Sequence, residues 1–249
     1  MIEELHSLAG IEEYVEEVNS DPVFHHPLLA REDEKKVVWD AGRCVQCDTC
    51  IRVCPHDSSP KIRWMTVADV LAELQRSLPY IDGITTSGGD CTLYNEFLIE
   101  LFTDVKKLNK TCLIDSNGSF DFEKDPRVLD VCDGVMLNVK AYDSAWHDFL
   151  INHDRRTVIK DLEYLLHVNK LYEVRTLIFP DRDEENEATV SYVSGIIGDR
   201  CRYKIIRYRQ FGVRENQRTE LGDFTTDEDY ARSYVELAKS LGATKAIMI

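Results

Sequence analysis

The sequence predicts an α/β protein built on a parallel sheet, and two observations carry that prediction. From Thr66 onward, short apolar runs alternate with segments of helical hydrophobic period. Strands separated by helix-length spacers join through right-handed crossovers, which makes their sheet parallel. Polar and glycine residues also recur immediately after the apolar body of successive strands, at the end where a parallel barrel carries its chemistry. A chain of 249 residues that is 43% hydrophobic can bury a sizeable core, so a disordered or fibrous protein is excluded.

The first segment, residues 1–36, differs from the rest. Within the first forty residues eleven acids face only three basic residues. Ile2, Leu5, Ile11, Val15 and Val18 recur at roughly helical spacing until Asn19, Ser20, Asp21 and Pro22 break the pattern. The expectation is a solvated amphipathic helix and a polar linker through Lys36, with a partner-docking arm as the alternative. His25 and His26 precede Pro27 with no further ligand candidate nearby and read as a loop pair.

The next segment, residues 37–64, holds Cys44, Cys47, Cys50 and Cys54, followed by Pro55. This CxxCxxCxxxCP run matches the bacterial ferredoxin pattern, in which closely spaced thiolates hold a [4Fe-4S] cluster. Structural zinc is the main competitor, but zinc modules usually split their ligands into two separated pairs. In two-cluster ferredoxins the fourth cysteine reaches the other cluster. With a single run here, Cys54 either closes the same cube or lacks its usual partner. Cys91, Cys112, Cys132 and Cys201 stand singly in or beside apolar segments and read as buried small hydrophobes. His147, His153 and His167 are likewise isolated and read as structural or solvated.

The body, residues 65–249, follows in order. Thr66 caps a helix with Asp69 in its first turn, and Val67, Val70, Leu71, Leu74 and Leu78 supply its apolar face. A strand runs through Ile81, Ile84 and Thr85, a helix through Phe97 to Leu108, and a strand through Cys112, Leu113 and Ile114. Further strands are expected at Val135 to Val139, Val174 to Phe179, Tyr203 to Tyr208 and Ala246 to Ile249. Helices are expected at about 157–168, 186–197 and 227–241. For the last, Thr226 serves as cap, Asp227, Glu228 and Asp229 fill the first turn, and Gly242 follows the end.

Charge and length exclude several roles. A formal net charge of −15 repels phosphate backbones and anionic lipid, which argues against nucleic-acid and membrane-surface binding. No stretch approaches the roughly 20 apolar residues that span a bilayer, and the Met1 end lacks a basic then apolar leader. A cytoplasmic protein is expected.

The strand endings are Ser87-Gly88-Gly89-Asp90, Asp115-Ser116-Asn117-Gly118, Asn138-Val139-Lys140, and Arg207 with Arg209. Each alone is compatible with ordinary turn chemistry; four in register are not so easily dismissed. Ser87-Gly88-Gly89-Asp90 after a strand resembles the GGE motif of radical S-adenosylmethionine enzymes. Together with DSNG, VMLNVK and the inserted CxxCxxCxxxCP run, it resembles the glycyl-radical-enzyme activases, the group that includes the pyruvate formate-lyase activator, and most of all their YjjW-like members. The likeness covers about residues 37–249.

The resemblance implies a radical S-adenosylmethionine type of incomplete parallel (β/α) barrel with a small ferredoxin-like insertion. It also implies an activity. A reduced [4Fe-4S] cluster gives one electron to the sulfonium of S-adenosylmethionine, yielding methionine and a 5′-deoxyadenosyl radical that removes a hydrogen from a glycine Cα of a partner enzyme. The partners implied are a glycyl radical enzyme as substrate and a flavodoxin or ferredoxin as electron donor. Carried over by motif, Gly88 and Gly89 approach the methionyl part and Asp90, in place of the family's Glu, pairs with its ammonium. Asp115, Ser116 and Met136 line the cofactor or an associated cation, and Lys140 meets the cofactor carboxylate or ribose. Asn138 replaces a family Asp, and Arg209 stands where some relatives carry His. The family's CxxxCxxC motif, which leaves one iron open to the cofactor, is absent from these residues. The expectation is therefore a truncated member, inactive as this chain. The alternative is a non-catalytic relative that binds the cluster or the cofactor and acts in electron transfer or regulation, and a silent remnant is a third reading.

Overall fold

The computed structural model describes residues 29–31, 37–52, 59–210, 213 and 215–249. By contacts the chain divides into two compact units, Met1–Met65 and Thr66–Ile249. The expected helix over residues 2–18, the His25–His26 pair and Cys54 lie outside the described residues.

In the first unit, β1 (Leu29–Arg31) pairs antiparallel with β2 (Val37–Trp39), with Ala30 opposite Val38. The cysteine loop follows and ends in a single helical turn, α1 (Thr49–Arg52). Between its cysteines, Gln46 and Asp48 both adopt positive φ, 58° and 57°. Two left-handed residues so close together force the backbone to coil back on itself, a conformation that non-glycine residues adopt only under local constraint.

The second unit is one six-stranded sheet in the order β3 to β8, every neighbouring pair parallel and every neighbour consecutive in the chain. Its strands are β3 (Gly83–Thr86), β4 (Thr111–Ser116), β5 (Gly134–Asn138), β6 (Leu171–Ile178), β7 (Arg202–Arg207) and β8 (Ala246–Met248). Among the described residues β3 and β8 do not pair with each other, so the barrel is open. The crossovers carry α2 (Val67–Leu74, before β3), α3 (Asn95–Lys107), α4 (Arg127–Val131), α5 (Ser144–Ile151), α6 (Arg155–His167), α7 (Asp183–Ile197), α8 (Glu215–Leu221) and α9 (Glu228–Ser240).

Local chemistry sets these boundaries. Thr66 and Asp69 form a reciprocal capping box at the start of α2. Asp154 caps α6 two residues earlier than the periodicity suggested. For α9 the cap is Asp227, whose carboxylate accepts the Tyr230 N–H at 3.0 Å. The expected cap, Thr226, is instead buried, and its hydroxyl donates to the Ile178 carbonyl at 2.7 Å. Pro79 lies in a short 3-10 turn, Leu78–Tyr80, which ends the apolar run before the strand begins at Gly83.

Side chains alternate across the sheet. Cys112, Ile114, Val135, Leu137, Val174, Ile178, Tyr203 and Ile205 are buried in the main core with Phe102, Leu162, Leu165 and Ile197 from the helices. The alternate positions are the source of the polar site. The expectation for the single cysteines holds: Cys91, Cys112, Cys132 and Cys201 are all buried, and desolvation pushes the Cys112 thiol up to about 12 and the Cys201 thiol up to about 11. Among the described residues no helix is long and apolar enough to cross a membrane.

Candidate functional site

The C-terminal ends of β3 to β6 gather the charged and polar residues. After β3, Gly88 and Gly89 adopt φ of +106° and +56°, and a side chain added to either would meet nothing within 4 Å. Their need for glycine is therefore conformational, and the turn presents open backbone. Gly118, after β4, combines φ of +79° with close packing, since an added Cβ would lie 2.4 Å from Val158.

Asp90 is only 5% exposed, and its carboxylate faces the protein. One oxygen accepts from the Thr92 N–H at 3.0 Å and from the Thr92 hydroxyl. The other accepts from the Ser116 hydroxyl at 2.7 Å and the Asn117 N–H at 3.2 Å. A carboxylate offers about four lone-pair sites, and these four donors use them. Asp90 thus clips the turn after β3 to the turn after β4. Ser116, fully buried, passes the connection on by accepting the Gly118 N–H at 3.1 Å.

The remaining polar groups form one chain across the strands. Asp115 accepts from Arg175 at 2.6 Å and from the Asn138 amide at 2.7 Å. Asn138 in turn accepts from Lys140 Nζ at 3.1 Å. Arg175 also donates to Glu173 at 2.7 Å and reaches the Met136 sulfur at 3.0 Å. Glu173, completely buried, is matched further by Lys204 at 3.0 Å and Arg202 at 3.3 Å. Such satisfaction is what keeps a buried carboxylate tolerable. Burial drives the Lys140 ammonium down to about 8, with nearby Asp115 opposing and Arg175 reinforcing the shift.

Of the residues predicted from sequence, Asp115, Met136 and Lys140 meet in this network, joined to Asp90 and Ser116 through the strand ends. Arg209 does not join it and is exposed. Its neighbour Arg207 latches the end of β7, donating to the Thr226 carbonyl at 2.9 Å and pairing with Glu228. Arg175, Glu173 and Lys204 escaped the sequence reading. For Glu173 and Arg175 the signal was the period-2 pattern of Leu171–Ile178, which puts the two charges on one face, and for Lys204 its place between Tyr203 and Ile205 in Arg202–Arg207.

In the first unit Cys44 and Cys50 are half-buried and Cys47 is exposed. Among the described residues no three Cys, His or acidic side chains lie close enough to hold a metal ion. The donor set itself, thiols on one tightly coiled loop, fits an iron–sulfur cluster.

Comparison with known proteins agrees. Residues 36–58 match the family model of a 4Fe-4S binding domain. A Haemophilus influenzae protein described as a glycyl-radical enzyme activating enzyme is 24% identical over 229 residues, covering 83% of this chain and 86% of that one. The Streptococcus mutans pyruvate formate-lyase-activating enzyme is 30% identical over 159 residues, and the chain spans 60% of its length while the match covers 59% of this chain. Among solved structures, a domain of a pyruvate-formate lyase-activating enzyme from Bacteroides vulgatus superposes with a TM-score of 0.55 at 16% identity, covering 67% of this chain and 98% of that domain. The open, six-stranded parallel α/β sheet is thus the fold of that activating-enzyme domain, preceded in this chain by an iron–sulfur segment. In sequence the chain is similar to glycyl-radical-enzyme activating enzymes.

Proposed function

We propose that this chain serves the activation of a glycyl radical enzyme, with the strand-end pocket of the second unit as the S-adenosylmethionine site. The observation that carries this reading is the presence of an open glycine turn, Gly88-Gly89, and a half-buried cation, Lys140, at the C-terminal ends of strands of one parallel sheet. When bound and reduced by one electron, the cofactor supplies methionine and a 5′-deoxyadenosyl radical able to take a glycine hydrogen. The residues of this chain bind and orient it. Gly88 and Gly89 let backbone approach the methionyl part, Lys140 faces its carboxylate or ribose, and Asp115, Ser116 and Met136 shape the wall between them. Arg209, exposed beyond the network, is assigned to the mouth. Cys44, Cys47, Cys50 and Cys54 hold the ferredoxin-like cluster. A flavodoxin or ferredoxin supplies the electron.

A second reading has its own support. The four cysteines of the second unit are buried singly, and the cysteines in a closely spaced run are those of residues 44–54. The second reading is a chain that binds cluster and cofactor without cleaving the latter, in electron transfer or regulation. One experiment separates the two. The 249-residue chain, reconstituted anaerobically with iron and sulfide and reduced with dithionite, is assayed for S-adenosylmethionine binding and for 5′-deoxyadenosine. Binding without product above a cluster-free control supports the pocket and assigns cleavage to a donor set outside these residues. Stoichiometric product would overturn the second reading. No binding at all would overturn the first.

A further inference from the structure

Within the cysteine segment one lysine holds the loop from outside. Lys61 Nζ donates to the Gln46 amide oxygen at 3.0 Å and to a carboxylate oxygen of Asp48. These acceptors are the two left-handed residues that flank Cys47. The Lys61 side chain is only 16% exposed. Its ammonium is stabilised first by the bond to Asp48 and then by the Asp48 charge and by the sulfurs of Cys44 and Cys50, all of which raise its pKa against desolvation. A cation therefore lies within electrostatic reach of two of the thiols while bracing the backbone that carries the third.

We infer that Lys61 is the charge partner of the iron–sulfur cluster bound by Cys44, Cys47 and Cys50, fixing the loop conformation and making the cluster easier to reduce. The inference rests on the cluster reading of residues 36–58. Reduction by a low-potential one-electron donor adds one negative charge at the cluster and breaks no bond to the protein. A neighbouring cation favours the more negative state and so raises the reduction potential, net charge and hydrogen bonding being two of the protein's levers on such centres. Asp48 opposes it by partly neutralising the ammonium.

The test is a potentiometric titration of the anaerobically reconstituted full chain, followed by electron paramagnetic resonance, with iron content measured alongside. K61Q should move the reduction equilibrium about tenfold toward the oxidised state, ~59 mV more negative for a one-electron couple. K61R should stay near the parent, and D48N, which leaves the lysine unneutralised, should move the other way. Unchanged potentials in K61Q and D48N, both fully loaded, would overturn the inference. If K61Q loads no iron, the double variant K61Q/D48N read against D48N decides: a more negative potential in the double variant supports the charge role, and an equal or higher one refutes it. A parent chain that binds no cluster would overturn the cluster reading itself, a result distinct from a loaded parent whose variants do not shift.

Discussion

Replacing Asp90 separates two roles for the acid of the SGGD turn. If its carboxylate is the clip between the turns after β3 and β4, Asp90→Ala leaves the Ser116 hydroxyl, the Asn117 N–H and the Thr92 N–H without their acceptor. A buried donor left unsatisfied costs ~1–3 kcal/mol. Three donors at the low end of that range give an expected loss of ~3–4 kcal/mol. For a domain of this size each kcal/mol moves the melting temperature by about 2–4 °C, so a fall of about 10 °C is expected. Asp90→Asn should lose part of this, because the amide NH2 faces donors whichever way it is turned. Asp90→Glu, with the family's usual side chain, should also be destabilised, since the longer arm overshoots four donors fitted to a short one. Thermal melts read alongside S-adenosylmethionine binding test the reasoning. An Asp90→Ala protein within 1 kcal/mol of the parent in stability but unable to bind the cofactor would refute it and restore the ammonium-pairing role.

Two further outcomes follow from buried charges. Lys140 titrates at about 8 when folded against 10.5 ordinarily. The unfolded chain therefore holds the extra proton across that window, and the stability penalty is fully present below pH 8 and fades as pH rises toward 10.5. At 1.36 kcal/mol per unit the penalty is ~3 kcal/mol. Lys140→Met should thus be more stable than the parent at pH 7 in denaturant titrations, with the gap closing at high pH; a gap independent of pH would remove burial as the cause. Asp161 shows the opposite sign. Fully buried on α6, it accepts the Phe122 N–H at 3.0 Å while its other oxygen has no partner. Burial pushes its carboxyl up to about 8, helped by the charges of Asp121 and Asp90 and opposed by the Phe122 bond and Lys160. The folded state then binds more protons than the unfolded one between pH 3.8 and about 8, and stability falls as pH rises through that range. Asp161→Asn should flatten this slope; an unchanged slope would show that Asp161 is not its source.

The parallel order of the strands and their approximate limits were legible because both depend on local signals, apolar periodicity and helix-capping residues. What the sequence left unread depends on partners far along the chain. Thr226 looks like a cap by itself, and only the approach of the Ile178 carbonyl diverts its hydroxyl inward. Asp90 looks like a ligand-facing acid until Ser116 and Asn117, on a different strand end, take its oxygens. Arg175 and Glu173 sit inside a strand, where charge is unexpected. Their role appears only when Asp115 on β4 and Lys204 on β7 supply the counter-charges across one face of the sheet. Local rules located the site's strand ends, and long-range pairing decided what each side chain does there.

The strictly sequential order of the sheet has a consequence for how such a domain can change. Among the described residues each strand from β3 to β8 hydrogen-bonds only to its neighbours in that chain order, so none of the six is threaded between two distant segments. Among the described residues β3 has one paired neighbour, β4, and a strand laid along its other side would satisfy backbone groups there without disturbing any register from β3 to β8. The clip at Asp90 and the ion network through Arg175 tie β3 to β7 from within. The polar strand ends are therefore carried by an interior that stays constant when the border of the sheet is extended.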